Sequence, residues 1–235
     1  VMLGKWAGYY TKTGEYNSYF NYAGSNRESG NYNVAIGLYA LKGSETAADN
    51  TGGCNIAFGH NAGCRITSGT LNIALGQLAL GTGTVTGDNN IAMGLNAGTD
   101  ITSGKENVFL GKCAGCKTTT GCYNIAFGKL ALGTGVVTAT NNIVLGCQAA
   151  QKLTSGISNV IIGLNAAANA VITGYNNVSL GKNSLGCLTS GHSNFVGGYR
   201  AGKCLTTGDY NIFLGSDAGR GNGASVTGSN NVFLG

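Results

Sequence analysis

The sequence predicts an all-β protein, a parallel β-solenoid (β-roll) with coils of 17–18 residues, intertwined or packed as a parallel homotrimer. Three observations predict it. A short motif recurs along the whole chain, with "NIAFG" at Asn55–Gly59 returning unchanged at Asn124–Gly128. Glycine reaches 42 of 235 residues while proline is absent. Corner residues follow one another too closely to leave room for a helix.

The repeat is anchored on asparagine: Asn17, Asn33, Asn55, Asn72, Asn90, Asn107, Asn124, Asn142, Asn159, Asn177, Asn194, Asn211 and Asn231. Ten of the twelve intervals between them are 16–18 residues, too regular for chance. Glycine stands four residues after every anchor except the first, where Asn21 replaces it. A second glycine stands three residues before, with Ala139 the exception. Glycine and asparagine tolerate positive φ, as tight corners often require. Each unit therefore reads as a five-residue strand, a corner, a second short strand and another corner, every strand pairing with its equivalent in the next coil. At a strand spacing of about 4.8 Å, roughly 14 coils make a rod on the order of 65 Å. The aligned asparagines are expected to form a structural ladder of side-chain amides. The intervals of 22 and 20 residues insert loops near Lys42–Gly53 and Arg220–Ser229. The chain reads as one repetitive domain, 1–235, cut from a longer polypeptide.

Residues one and three after each anchor share a face, by the two-residue period of a strand. Pairs such as Ile56/Phe58, Ile73/Leu75 and Ile125/Phe127 are expected to fill the solenoid's own core. The residue between them should then face outward and be polar. It is instead Ala57, Ala74, Ala92, Phe109, Ala126, Val144, Ile161, Val196, Phe213 and Phe233 on ten of the strands, and none of these is charged. A strand apolar on both faces is covered on both, so this column is the expected inter-chain stripe of a self-associating protein.

Units such as "NVAIGLYA", "NIAMGLNAGTDITSG" and "NVFLGKCAGCKTTTG" resemble two groups. One is the β-roll head of trimeric autotransporter adhesins. The other, with the more similar period and the "LTTG" corner seen at Leu205–Gly208, is the repeat shaft of bacteriophage and other viral tail-fibre proteins. The resemblance covers essentially the whole chain. It implies a homotrimeric, non-enzymatic fibre shaft at a virion surface or outside the cell, supporting attachment to a host or surface beside other fibre or virion proteins. The alternative is a bacterial surface adhesin or extracellular filament built from the same repeat. The eight cysteines bear on the choice, since such adhesins are generally cysteine-poor. Their places in the repeat vary, unlike a disulfide framework, so they are expected to be reduced, as in assembly within a reducing cytoplasm. Cys187 and Cys204 are the exception, placed to stack on adjacent coils, and their pairing stays open.

Composition narrows the remaining classes. Only 10% of residues are charged and the net charge of +5 is diffuse, without the basic cluster that tracks nucleic-acid phosphates. No apolar run is long enough for membrane insertion as a helix. Cys113, Cys116 and Cys122 fall short of a four-ligand zinc site, and no cofactor motif stands in a suitable context, so no metal, cofactor or catalytic residue is expected. His60 and His192 read as isolated surface residues. The threonines before the corner form a single column, which argues against an ice-binding array. One cluster does suggest binding: seven of the eleven tyrosines precede residue 40. Trp6, Tyr9, Tyr16, Tyr19 and Tyr22 are the candidate contacts with a cell-surface glycan or a partner, because aromatic faces stack on sugar rings.

Overall fold

The computed structural model describes residues 1–27, 29–46 and 49–235. The chain is an all-β parallel β-solenoid of about 14 turns, with no α-helix among the described residues. It divides into two compact units, Val1–Gly121 and Cys122–Gly235. The first carries β1 (Met2–Leu3), β2 (Ser18–Phe20), β3 (Val34–Ile36), β4 (Ile56–Phe58), β5 (Ile73–Leu75), β6 (Ile91–Met93) and β7 (Val108–Leu110). The second carries β8 (Ile125–Phe127), β9 (Ile143–Leu145), β10 (Val160–Ile162), β11 (Val178–Leu180), β12 (Phe195–Gly197), β13 (Ile212–Leu214) and β14 (Val232–Leu234). Within each unit every strand pairs in parallel with the next in chain order, and equivalent residues stand in register, as Ala57 does with Ala74.

The strands are shorter than the expected five residues. The expected second strand is reduced, in several coils, to isolated bridges such as Ile66 with Val85 and Leu153 with Ile172. Turns close the rest of the coil, and they run through left-handed backbone at residues of many kinds. The residue before each anchor is one such column, including Leu71 at φ 58°, Glu106 at 57° and Tyr210 at 55°. Glycine is needed at fewer places. Gly94 has φ +133°, and a Cβ there would lie 2.7 Å from the carbonyl oxygen of Gly111 on the next coil.

The asparagine ladder is as the sequence predicts. Asn72 donates its backbone N–H to Oδ1 of Asn55 at 2.9 Å, and its own Nδ2 donates to the carbonyl of Gly87 at 2.9 Å. Asn90 then donates its N–H to Oδ1 of Asn72, also at 2.9 Å. These side chains are buried and each joins neighbouring coils, so the turn backbone is satisfied without water. The pre-corner threonines make a second ladder, as where Thr102 Oγ1 donates to the carbonyl of Thr119 at 3.1 Å.

The two faces of the strand are the reverse of the expectation. Ala57, Ala74, Ala92, Phe109, Ala126, Val144, Ile161, Val196 and Phe213 are at most 1% exposed and lie inside the coil. Phe233 belongs to the same column but is exposed on the terminal strand β14. Ile56, Phe58, Ile125, Phe127 and their equivalents point outward instead, half-buried or exposed. The physical reason is width. The interior must also hold a second buried small residue just past the corner (Ala62, Ala79, Ala97, Ala131) and a larger one farther along the coil, such as Ile66 or Ile101. Two bulky side chains per strand would not fit such a coil.

In several coils volume is shared locally. Buried Ala74 and Ala126 accompany Leu80 and Leu132 six residues on, whereas Phe109 and Phe213 accompany Gly115 and Gly219. A Cβ on Gly219 would lie 2.7 Å from the Phe213 ring, and one on Gly98 of the preceding coil 2.8 Å from that of Phe109.

The first inserted loop is pinned by buried Asn50, which accepts from the N–H of Ser44 at 2.8 Å and donates to the carbonyl of Asn26 at 2.8 Å. Ala47 and Ala48, within that loop, lie outside the described residues. Beside it Arg27 is fully buried and donates to the carbonyls of Ile66, at 3.0 Å, and Gly52. Burial lowers the pKa of its guanidinium. The second loop rejoins the coil where Val226 bridges Leu205.

Candidate functional site

Two features remain once the ladders and interior are accounted for: the outward sheet face and an aromatic cavity in the first unit. On the sheet face each strand presents two residues, most of them large and apolar and none charged. Phe58 is 42% exposed, Met93 42% and, in the second unit, Phe127 57%. This face is continuous within each unit because the strands are in register.

The cavity occupies about 390 Å³ and is lined by Trp6, Tyr9, Tyr10, Tyr22, Ser25, Asn26, Tyr39, Lys42 and Glu45. Its wall is built by stacking. Trp6, Tyr22 and Tyr39 take the same left-handed corner of three successive coils, at φ 62°, 62° and 60°. The first coil to carry an anchor has one residue fewer, so Asn21 stands where glycine does elsewhere, yet Tyr22 still reaches the column. The Trp6 and Tyr22 ring centroids are 6.1 Å apart, those of Tyr22 and Tyr39 5.1 Å. Tyr9 meets Trp6 edge-on at 4.2 Å and Tyr10 continues the wall. Ser25 contributes a buried hydroxyl with no hydrogen-bond partner. At the rim Lys42 and Glu45 pair at 3.0 Å.

Of the candidate aromatic residues, then, Trp6, Tyr9 and Tyr22 converge. Tyr19 does not: its ring fills the coil interior beside Gly24, and burial raises its pKa. Tyr16 stacks face to face on Tyr32 at 5.0 Å, away from the cavity lining. Sequence reasoning placed Tyr10 and Tyr39 only in the general cluster. Ser25, Asn26, Lys42 and Glu45 were missed, and alignment of successive coils is the signal that brings them beside the aromatic residues.

The histidine expectation also needs correction. His192 has a carboxylate partner, Asp209, with Nε2 3.3 Å from Oδ2, and it stacks on Tyr175 at 4.5 Å. The partner is one coil away, so nothing adjacent in sequence reveals it. None of the eight cysteines is joined in a disulfide. Burial raises the pKa of Cys187, and its neighbour Cys204 adds to the effect. Burial likewise pushes Cys116 up to about 12, with Cys113 beside it. Among the described residues no group of three His, Cys, Asp or Glu converges as a metal ion would require. No described helix is long and apolar enough to cross a membrane. The chain matches no family model, no curated protein and no solved structure.

Proposed function

We propose that this chain is the repetitive shaft of a self-associating fibre: a structural, non-enzymatic protein, of the viral tail- or capsid-fibre kind, that supports attachment to a host or surface. The observation that carries the reading is the outward sheet face of each unit, where large apolar side chains flank most of the buried strand centres. Large contiguous apolar surface on a folded protein favours a partner. The pitch of the face argues for which partner: side chains repeat at each coil, and a second copy of this chain offers the same spacing in the same register. Isologous or cyclic packing of identical copies would bury the face along its length, most simply as a parallel homotrimer. The ladders support a mechanical role, since they tie each coil to the next at several points.

Multi-angle light scattering on the purified chain tests the reading. A particle of three times the 23.7 kDa chain mass is expected. Phe127→Asp should lower that mass while leaving the circular dichroism spectrum unchanged. A folded wild-type monomer at micromolar concentration would sink the proposal.

A further inference from the structure

The fold does not require aromatic residues at the corner occupied by Trp6, Tyr22 and Tyr39. The same left-handed corner holds Asn61, Leu78, Asn96 and Cys113 in the other coils of the first unit, and Leu130, Gln148 and Arg200 in the second. Three successive aromatic residues there are a local addition to a position that accepts almost anything. They wall a cavity whose volume of about 390 Å³ lies within the roughly 300–1,000 Å³ usual for small-molecule sites. Ser25 is among the lining residues, and its hydroxyl is buried with no hydrogen-bond partner, a state that calls for an explanation.

We propose that this cavity binds a pyranose saccharide, with Trp6, Tyr22 and Tyr39 packing against the C–H face of the ring and Ser25 hydrogen-bonding one of its hydroxyls. Aromatic walls with a few inward polar groups suit a ligand that is apolar on one face and hydroxylated at its edge. Charge favours a neutral sugar over an ion. Lys42 and Glu45 neutralise each other at 3.0 Å. The place a quaternary ammonium ion would take over Tyr39 is already met by Lys42, whose Nζ lies 5.5 Å from the ring centroid. Asn26 adds an amide to the same wall. The inference names a ligand class for the attachment role proposed above and rests on that reading only for its context, because the cavity is complete within one chain.

Trp6 is the only tryptophan, so its fluorescence reports directly on the site. The intact chain is titrated with the methyl glycosides of glucose, galactose, mannose and N-acetylglucosamine, and in parallel with tetramethylammonium. At least one glycoside should shift the emission saturably, with a dissociation constant around 1 mM. Tyr22→Leu and Tyr39→Leu should weaken it about tenfold, a loss of ~1.4 kcal/mol. Both should fold, since leucine occupies that corner at Leu78 and Leu130. Ser25→Ala should also weaken binding, whereas Tyr16→Ala should not. The inference is overturned if no glycoside titrates, if only tetramethylammonium does, or if Tyr16→Ala weakens binding as much as Tyr22→Leu. Scattering on the same samples separates the two readings. An assembled fibre that binds no sugar counts against the cavity alone, and a monomer that binds sugar counts against the fibre alone.

Discussion

At the scale of the residue, each coil solves two problems: polar backbone must be satisfied at a buried turn, and a narrow interior must be filled. Asn72 serves the first by accepting one backbone N–H and donating to one carbonyl. Asn72→Ala would leave the N–H of Asn90 and the carbonyl of Gly87 short of these partners. At about 1–3 kcal/mol for each of the two buried unsatisfied groups, a loss of roughly 2–6 kcal/mol is expected, measured by urea denaturation. Phe109 serves the second. Phe109→Ala should cost roughly 3–5 kcal/mol through the cavity it leaves. Adding Gly115→Leu should restore part of that loss by recreating the Ala74/Leu80 arrangement, since Leu80 holds φ 49° where Gly115 has 57°. If the double variant is no more stable than Phe109→Ala alone, the volume-sharing account fails.

At the scale of the element, the three-residue strand shows what the sequence made legible and what it hid. The asparagine and glycine columns mark every coil, because both answer to local backbone geometry and recur at fixed places. The period-two rule correctly separates Ile56 and Phe58 from Ala57, and apolar residues on both faces were visible. What the rule cannot supply is which face is inside. That depends on the width of the coil, set by residues elsewhere in the turn such as Ala62 and Ile66. The same blindness hid His192 with Asp209 and assembled only part of the aromatic cavity, since those neighbours lie one coil apart. The faces now make opposite predictions. Ala57→Asp places an unpaired carboxylate in the interior and should abolish cooperative folding, whereas Phe58→Asp should leave the fold intact and weaken self-association. Equal effects of the two in circular dichroism and scattering would contradict the observed orientation.

Burial alone would raise the Asp100 carboxyl, but hydrogen bonds from Lys117 at 2.7 Å and Thr82 at 2.6 Å, with the Lys117 charge, hold it below the usual carboxylate range. A depressed folded pKa gives stability that is present above the unfolded value, near 4, and lost as pH falls through the folded value. Asp100→Asn should therefore flatten the acid limb of the stability profile below about pH 4 and leave its shape near neutrality unchanged. The pair is partly exposed, so the effect is small. Thermal melts of both proteins at pH 3 and pH 7 measure it.

At the scale of the whole molecule, the structural unit is the coil, and within each unit the strand of each coil pairs with those of its neighbours in the chain. Stability in such proteins approximates a sum of coil and interface terms. That makes deletions unusually informative. Asn142 and Asn159 occupy equivalent places, 17 residues apart, and are joined by the ladder bond from Asn159 N–H to Asn142 Oδ1 at 3.0 Å. Excising Asn142–Ser158 removes β9 and one full turn, and brings β10 into the place beside β8 with every column still in register. Ile161 then stands where Val144 did, inside the coil, and Asn159 inherits the bond to Asn124 that Asn142 makes at 3.1 Å. This variant should fold and melt cooperatively, only a few degrees below the parent. Excising Asn142–Ala150 removes less of the chain, yet it takes away β9 and the corner that leads out of it, and leaves Gln151–Ser158 as a part-coil with no strand of its own. The shorter deletion should therefore be the more damaging, giving no cooperative melt. If the full-coil excision unfolds while the partial one survives, contacts within the sequence segment outweigh register between coils, and the solenoid account of this chain is wrong.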